Sequence, residues 1–337
     1  MIQKLLQMIR RSNERGSITP MSEDLSAWDR LLIGGNSAIS SLPPIDGRVD
    51  LRKAAAAPPI IDKTVHTLKV EGYTCSYNRV MGFTELRNAQ WSAIDFSCSQ
   101  ISSLHFFDSV FENCVFEKCS CREWRMWRNT FKNCSFRGAD LRDSSLGAVL
   151  EEKRNVFEDC AFDRADLRGT SYNSAEFTRC SFRNAKLKKV EFNGSVFTDC
   201  VFEGKLEEVI FYDLGFEAKH LSPNQMLRVD FENAEFKFVE FRRLNLETVK
   251  FPKSEGHIVL ENNFPQFLDF AIASLAENSD KASELLSANL AFEKKWLGPN
   301  QKRGVIVEAD FLEGSGDEGL SILLELLKSY RETQGMR

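Results

Sequence analysis

From Leu86 onward an apolar residue stands at every fifth position: Leu86, Trp91, Phe96, Ile101, Phe106, Phe111, Phe116, Cys121, Met126, Phe131, Phe136, Leu141 and Leu146, with only Cys121 small. The pattern slips by one residue within 147–156, resumes at Phe157, and runs through Phe162, Leu167, Tyr172, Phe177, Phe182, Leu187, Phe192 and Phe197 to Phe202. A one-residue contraction then leads to Leu206, Phe211, Phe216, Leu221, Met226, Phe231, Phe236, Phe241, Leu246 and Phe251. A period of five matches neither a helix, at about 3.6 residues per turn, nor a flat strand, at about 2. Self-similarity sustained over this length predicts a solenoid whose coils stack around one continuous core.

A second register supports it. Two residues before the large side chain stands a small one, among them Ala89, Ser99, Ser109, Cys114, Cys119, Cys134, Ala139, Ser144, Cys160, Ala165, Thr170, Ala175, Cys180, Ala185, Ser195, Cys200 and Ala234. Each unit thus turns one large and one small side chain inward and three outward.

Segments such as Gly138-Ala139-Asp140-Leu141-Arg142, Arg164-Ala165-Asp166-Leu167-Arg168 and Asn184-Ala185-Lys186-Leu187-Lys188 resemble the alanine-aspartate/asparagine-leucine units of pentapeptide-repeat proteins, over about residues 81–251. The resemblance implies an all-β solenoid, the right-handed quadrilateral β-helix, with four units to a square coil. Residues twenty apart then stack, and about eight coils at about 4.8 Å each make a rod on the order of 40 Å long. On that reading Phe111 lies over Phe131, Phe116 over Phe136, Phe157 over Phe177 over Phe197, and Phe162 over Phe182 over Phe202. Outside, Glu112 falls over Lys132, Glu117 over Arg137, and Asp163 over Arg183 over Glu203, the pattern of cross-strand ion pairs.

Trp124 and Asn129 occupy small inward positions, and so do Lys219 and Asn224 beside Pro223. The Lys219–Asn224 stretch is expected to leave the regular coil, and 147–156 to bulge. Because loops on a rigid scaffold carry specificity, Leu146–Asn155 and Ala218–Met226 are the first candidates for a contact surface.

Three regions follow: 1–80 as an N-terminal extension and cap, 81–251 as the β-helix, and 252–337 as an α-helical C-terminal region. Bare terminal coils would recruit other chains, so both ends need covering. Met1–Arg11 places Ile2, Leu5, Leu6 and Ile9 on one helical face, and Gly34-Gly35, Pro43-Pro44 and Ala54–Ala57 before Pro58-Pro59 mark turns and an approach to the first coil. Helices are predicted near Pro265–Glu277, Lys281–Trp296 and Gly319–Arg331, with Asp280 capping the second and Gly298-Pro299 stopping it. Leu320, Leu323, Leu324 and Leu327 form an amphipathic stripe that would serve either a homodimer or packing on the last coil.

Composition fits a filled interior: 27 Phe stand against 5 Tyr and 5 Trp. The net charge of -5 is mild, which argues against direct nucleic-acid binding. No stretch approaches the roughly 18 apolar residues of a membrane span, and Met1–Arg11 lacks a secretory apolar run, so a cytoplasmic protein is expected, and the family resemblance implies a bacterial one. Six of the nine cysteines, Cys114, Cys119, Cys134, Cys160, Cys180 and Cys200, fall in the small inward register and are read as buried thiols. Cys119 and Cys121 make only a Cys-x-Cys without zinc-site spacing, so no metal is expected. Gly314-Ser315-Gly316-Asp317-Glu318-Gly319 matches Gly-x-Gly-x-x-Gly, but Asp317 and Glu318 would repel a pyrophosphate and too little chain follows, so it is read as a turn. His66, His105, His220 and His257 are scattered, no catalytic motif occurs, and neither enzymatic activity nor a cofactor is expected.

Two basic clusters remain as candidate partner-binding residues: Arg122, Arg125, Arg128 and Lys132, and Arg183, Lys186, Lys188 and Lys189. The function expected is a non-catalytic protein-interaction or scaffold protein whose partner the sequence does not name. The resemblance also implies two alternatives, a DNA-mimicking protein that binds or protects DNA gyrase or topoisomerase, and a secreted bacterial effector. A duplex mimic would need a uniformly negative rod, and these clusters interrupt it.

Overall fold

The structure, a computed structural model, describes residues 31, 39, 40, 42, 44–55, 62–70, 73–80, 83–215 and 220–334, with the side chains of 62–83 left aside. The expected Met1–Arg11 helix, the Gly34-Gly35 turn, Pro58-Pro59, Phe216 and Lys219 lie outside the described residues.

Each unit lays down two to four residues of extended chain and then turns a corner. The corner residue, two places after the large side chain, adopts a left-handed conformation, as at Asn113 (φ 55), Asn133 (φ 49), Asp159 (φ 53) and Arg179 (φ 53). Asn and Asp tolerate that region better than most L residues. Four faces result, each a column of parallel pairings between successive coils. The first runs through Phe83–Arg87, Leu104–Phe107, Arg125–Trp127, Ser145–Gly147, Ser171–Tyr172 and Leu187–Phe192, and on through Val201–Tyr212 to Ala234–Arg242. The second runs from Gln90–Ser92 to Val196–Thr198. The other two are built from bridges, such as Val115 to Ser135 to Ala161 to Ser181, and Ser120 to Asp140 to Asp166 to Lys186.

The axis is filled by rings. Phe111 and Phe131 stack at 4.3 Å, and Phe157, Phe177 and Phe197 follow at 5.0 Å intervals within 10° of parallel. Phe162 stacks on Phe182 at 5.0 Å and Phe182 on Phe202 at 4.6 Å. Neighbouring columns meet edge to face, as Phe177 does Phe182 at 74°, the arrangement that ring quadrupoles favour. The small inward positions tie each coil to the one before. Cys134 Sγ donates to Phe111 O, Cys180 to Phe157 O and Cys200 to Phe177 O. Ser195 Oγ donates to Tyr172 O, and Asn129 Nδ2 to Phe106 O. Trp124 also fits its small position, wholly buried with Nε1 donating to Ile101 O at 2.6 Å.

Two corrections to the repeat concern its interruptions. The spacing between stacked partners rises from 20 residues at Ser109 and Asn129 to 26 at Asn129 and Asn155, so the one-residue slip is an insertion after Leu146. It rises again to 30 at Tyr212 and Arg242, and Phe211 pairs with Phe241 rather than Phe231. Met226 re-enters the axis and is fully buried, while Leu221 stays half-exposed outside it. The chain therefore leaves the coil just after Tyr212, earlier than Lys219, and Leu221 is not a coil unit. Apolar residues at the right spacing inside an insertion mimic the period without having a coil to stack on.

The ends are closed differently. Arg48–Asp50 pairs in parallel with Ile94–Asp95, and Ala55 bridges Gln100, so two faces begin before residue 81. An antiparallel hairpin, Asp62–Val70 and Tyr73–Val80, pairs antiparallel with Phe83–Arg87 and covers the first face's leading edge. At the other end, helices α1 (Phe264–Leu275), α2 (Lys281–Lys295) and α3 (Glu308–Thr333) surround an antiparallel pair, His257–Leu260 with Gly304–Val307. Asp280 accepts from Ser283 N and caps α2 as expected. α3 starts well before Gly319, and its axis breaks at Gly316 (φ 75), so the glycine-rich segment lies within the helix as a kink.

Candidate functional site

The two basic clusters do not form patches of free positive charge. Arg122 pairs with Asp143 at 3.0 Å, Arg128 with Asp108 at 2.6 Å and with Glu151, and Lys132 with Glu158 at 3.8 Å. Arg125 donates to the carbonyls of Trp124 and Asp143. Arg183 pairs with Glu203 at 3.0 Å, Lys186 with Asp166 at 3.5 Å, Lys188 with Glu207 at 2.7 Å and Lys189 with Glu208 at 3.6 Å. Most of these partners lie one coil away, so the stacking that fills the axis also neutralises the surface. Hydrogen bonds from Lys188 and Lys205 hold the Glu207 carboxyl down at about 2, and the guanidinium of Arg179 lowers that of Asp159. Arg183 and Lys189 line different grooves.

The two candidate loops do come together. Arg154 of the first insertion donates from Nη2 to Ser222 O of the second at 2.6 Å, over a sequence distance of 68. Both erupt at the corner between the first and second faces. His105 lies on the first face, where burial and the charge of Arg125 push its imidazole down to about 4, so it stays neutral at physiological pH.

The leucine stripe is largely used internally. Leu323 and Leu327 are buried at 0% and 3% exposure in the core of the helical region with Phe267, Leu290 and Tyr330, and Leu320 packs partly against it. Of the four, only Leu324 is exposed, at 39%. The stripe packs on α1 and α2 rather than on the last coil, because the helices supply a core of their own.

A site that periodicity could not indicate lies where this helical cap meets the last coils. Phe238, Val239 and Glu240 from the strand Ala234–Arg242, Asn289, Phe292 and Glu293 from α2, and Asp310, Phe311 and Gly314 from α3 line a cavity of about 150 Å³. It adjoins an open groove of about 740 Å³ along the first face, where Glu191, Glu207, Glu208 and Glu313 stand with Lys189 and Lys237. Arg242 lies over Trp296 and Tyr212, at 4.5 and 4.9 Å, and pairs with Glu240 at 2.6 Å. Lys237 pairs with Glu313 at 3.1 Å. Asp310 accepts from Phe238 N at 2.9 Å, capping a residue held at φ 51. The Glu293 side chain makes no hydrogen bond or ion pair among the described residues, while its backbone carbonyl accepts from Trp296 N. The surface it exposes faces this cavity and a smaller one beneath it. Desolvation, with Glu240 and Asp310 nearby, pushes its carboxyl up to about 7, and burial raises that of Asp310 to about 6.

Among the described residues no group of three or more His, Cys, Asp or Glu is placed to hold a metal ion, and no helix is long and apolar enough to cross a membrane. All eight cysteines with described side chains are free, and seven of them are buried.

Fold and site together define a four-sided parallel β-solenoid with a closed axis and a helical end cap. The family model for pentapeptide repeats matches residues 157–204 in 8 copies. Over those residues the chain carries pentapeptide repeats. Among solved structures, a trypsin-treated variant of QnrB1, described as a plasmid-mediated fluoroquinolone resistance protein, is 14% identical, with 61% of this chain and 85% of that one covered and a TM-score of 0.27. HetL, involved in heterocyst differentiation regulation in the cyanobacterium Nostoc, is 15% identical over 50% of this chain and 83% of its own, with a TM-score of 0.18. Rfr23 from the cyanobacterium Cyanothece is 10% identical over 60% and 87%, with a TM-score of 0.19. Likeness at that level says nothing about function. No curated protein matches the chain.

Proposed function

We propose that this chain is a non-catalytic protein-interaction or scaffold protein, acting in the cytoplasm of a bacterium. The observation that carries the reading is the stacked axis: rings about 5.0 Å apart along Phe157, Phe177 and Phe197 leave the solenoid no interior cleft, so any partner meets its exterior or its ends. The loops joined through Arg154 and Ser222 and the seam between cap and last coil are the irregular surfaces on an otherwise repetitive rod.

A duplex mimic for gyrase or topoisomerase fits less well, because carboxylates and cations alternate along the coils instead of forming a negative stripe. A homodimer through the leucine stripe is also less favoured, since Leu323 and Leu327 are already covered. An effector role would rest on the first 30 residues.

The test is affinity capture from the native host with the full-length chain as bait, quantified by mass spectrometry. A protein recovered near one-to-one supports the reading, and topoisomerase subunits in that position would move it to the mimic. A bait that recovers nothing above an unrelated control, in a chain shown to be folded, overturns it.

A further inference from the structure

We propose that the seam between the helical cap and the last coil docks a basic amphipathic segment of a partner protein, with one Lys or Arg side chain entering the cavity between Glu293 and Asp310. This rests on the interaction reading above and gives it a place and a chemistry.

Around the cavity the charges do not balance. Glu240 has Arg242, Glu313 has Lys237, and Asp310 has the Phe238 N–H and only a share of the Lys237 charge that Glu313 already pairs. The Glu293 side chain has no hydrogen bond or ion pair among the described residues, and the charge of Arg242 that acts on it is already paired with Glu240. Glu293 is open to solvent at the cavity rather than enclosed, so a cation arriving from outside can reach its carboxylate directly. The walls suit such a group: Phe238, Phe292 and Phe311 line the cavity, and a guanidinium or ammonium on an alkyl stem makes favourable contacts with rings and apolar surface.

Apolar surface continues outward from the mouth. Leu285 and Phe292, seven residues apart on one face of α2, are 41% and 43% exposed, whereas Leu286 and Leu290 on the opposite side are buried. The groove on the other flank adds Glu191 from the first face, which accepts from Asn193 Nδ2 and pairs with no cation among the described residues. A helix or extended segment with apolar residues over Leu285 and Phe292 and basic residues toward the groove matches both surfaces, whereas an acidic or purely apolar segment matches only one.

The groups facing Glu293 are Lys237, Glu240 and Arg242 from the strand, and Asp310 and Glu313 from α3. Binding of a cation should therefore strengthen as pH rises from about 5.5 to about 8, because Glu293 and Asp310 ionise over that range, at about 7 and about 6.

The experiment is fluorescence anisotropy with the full-length chain and a labelled helix-forming peptide carrying two Arg on one face and Leu on the adjacent face, against the same peptide with citrulline for Arg. Expected is saturable binding at pH 8, weakened at least tenfold by citrulline, by Glu293→Gln and by lowering pH to 5.5, and weakened by Phe292→Ala. Glu151→Gln, distant on the loop corner, should leave it unchanged. Equal affinity of Glu293→Gln and the parent, or an equal loss from Glu151→Gln, would mean non-specific attraction and overturn the proposal, as would absence of binding at pH 8. Circular dichroism of each variant separates these outcomes from misfolding. Lysate capture with the Glu293→Gln chain separates the two readings: a partner still held there while the peptide fails removes the docking site and leaves the interaction role standing.

Discussion

Along the solenoid, carboxylates such as Asp159, Asp199 and Glu207 meet a cation from a neighbouring coil, whereas at the cap seam Glu240, Glu293, Asp310 and Glu313 share two cations, Arg242 and Lys237. The reason is geometric. A coil stacked on its own repeat finds the complementary residue at a fixed offset, so packing and charge pairing are solved together and many times over. A helix laid against the last coil has no such register, and its cavities and unmatched charges are what irregular contact leaves. Binding specificity should be sought in the second kind of region.

Breaking the ladder should have the largest effect. Phe177→Ala opens a void between Phe157 and Phe197 in a column with no room to collapse, and should cost about 3–5 kcal/mol in urea unfolding followed by tryptophan fluorescence. The equivalent change in the cap, Leu286→Ala, should cost about 2–5 kcal/mol and fall near the lower end, because the smaller core there can readjust. Asn129→Ala comes next, at about 1–3 kcal/mol, because it strands the Ser109 N–H, which bonds to the Asn129 side chain, and the Phe106 carbonyl.

The two regions should also respond to pH with opposite sign. Glu293 and Asp310 have folded pKa values of about 7 and about 6, above their reference values of 4.5 and 3.8. The folded cap therefore binds protons more tightly than the unfolded chain, and that stability is present below about pH 4 and lost as pH rises through 6 to 7. Glu207 and Asp50, lowered to about 2, stabilise above about pH 4.5 and lose that contribution as pH falls toward 2. Hydrogen exchange, corrected for intrinsic rates, should show α2 and α3 less protected at pH 8 than at pH 5.5, with the coils losing protection only in acid. Glu293→Gln should flatten the cap's response. The smallest effect is expected from Arg179→Ala, which removes an exposed pair with Asp159 and should leave the unfolding midpoint in 0.15 M salt where it was.

Much of the coil was legible because its signal repeats: one large and one small inward residue in five, with Phe157, Phe177 and Phe197 falling where stacking requires. Asp280 likewise marked the start of α2 by local chemistry alone. What misled was the same signal continuing without its cause, as at Leu221, whose spacing matched while the chain had already left the coil. The leucine stripe on α3 had the right period for a buried face, yet period alone does not say which surface covers it. The cap seam was not legible, since Glu240, Glu293 and Asp310 come from three elements with no fixed spacing, and only the docking of α2 and α3 on Ala234–Arg242 brings them together.

The central claim, a closed axis that leaves only the exterior and ends available, can be tested by treating the folded chain with N-ethylmaleimide and locating the adducts by mass spectrometry. Among thiols with described side chains, exposed Cys98 should react quickly, while Cys114, Cys119, Cys121, Cys134, Cys160, Cys180 and Cys200 should react no faster than the chain unfolds. Rapid modification of Cys160 or Cys180 in a chain that keeps its fold would contradict the account.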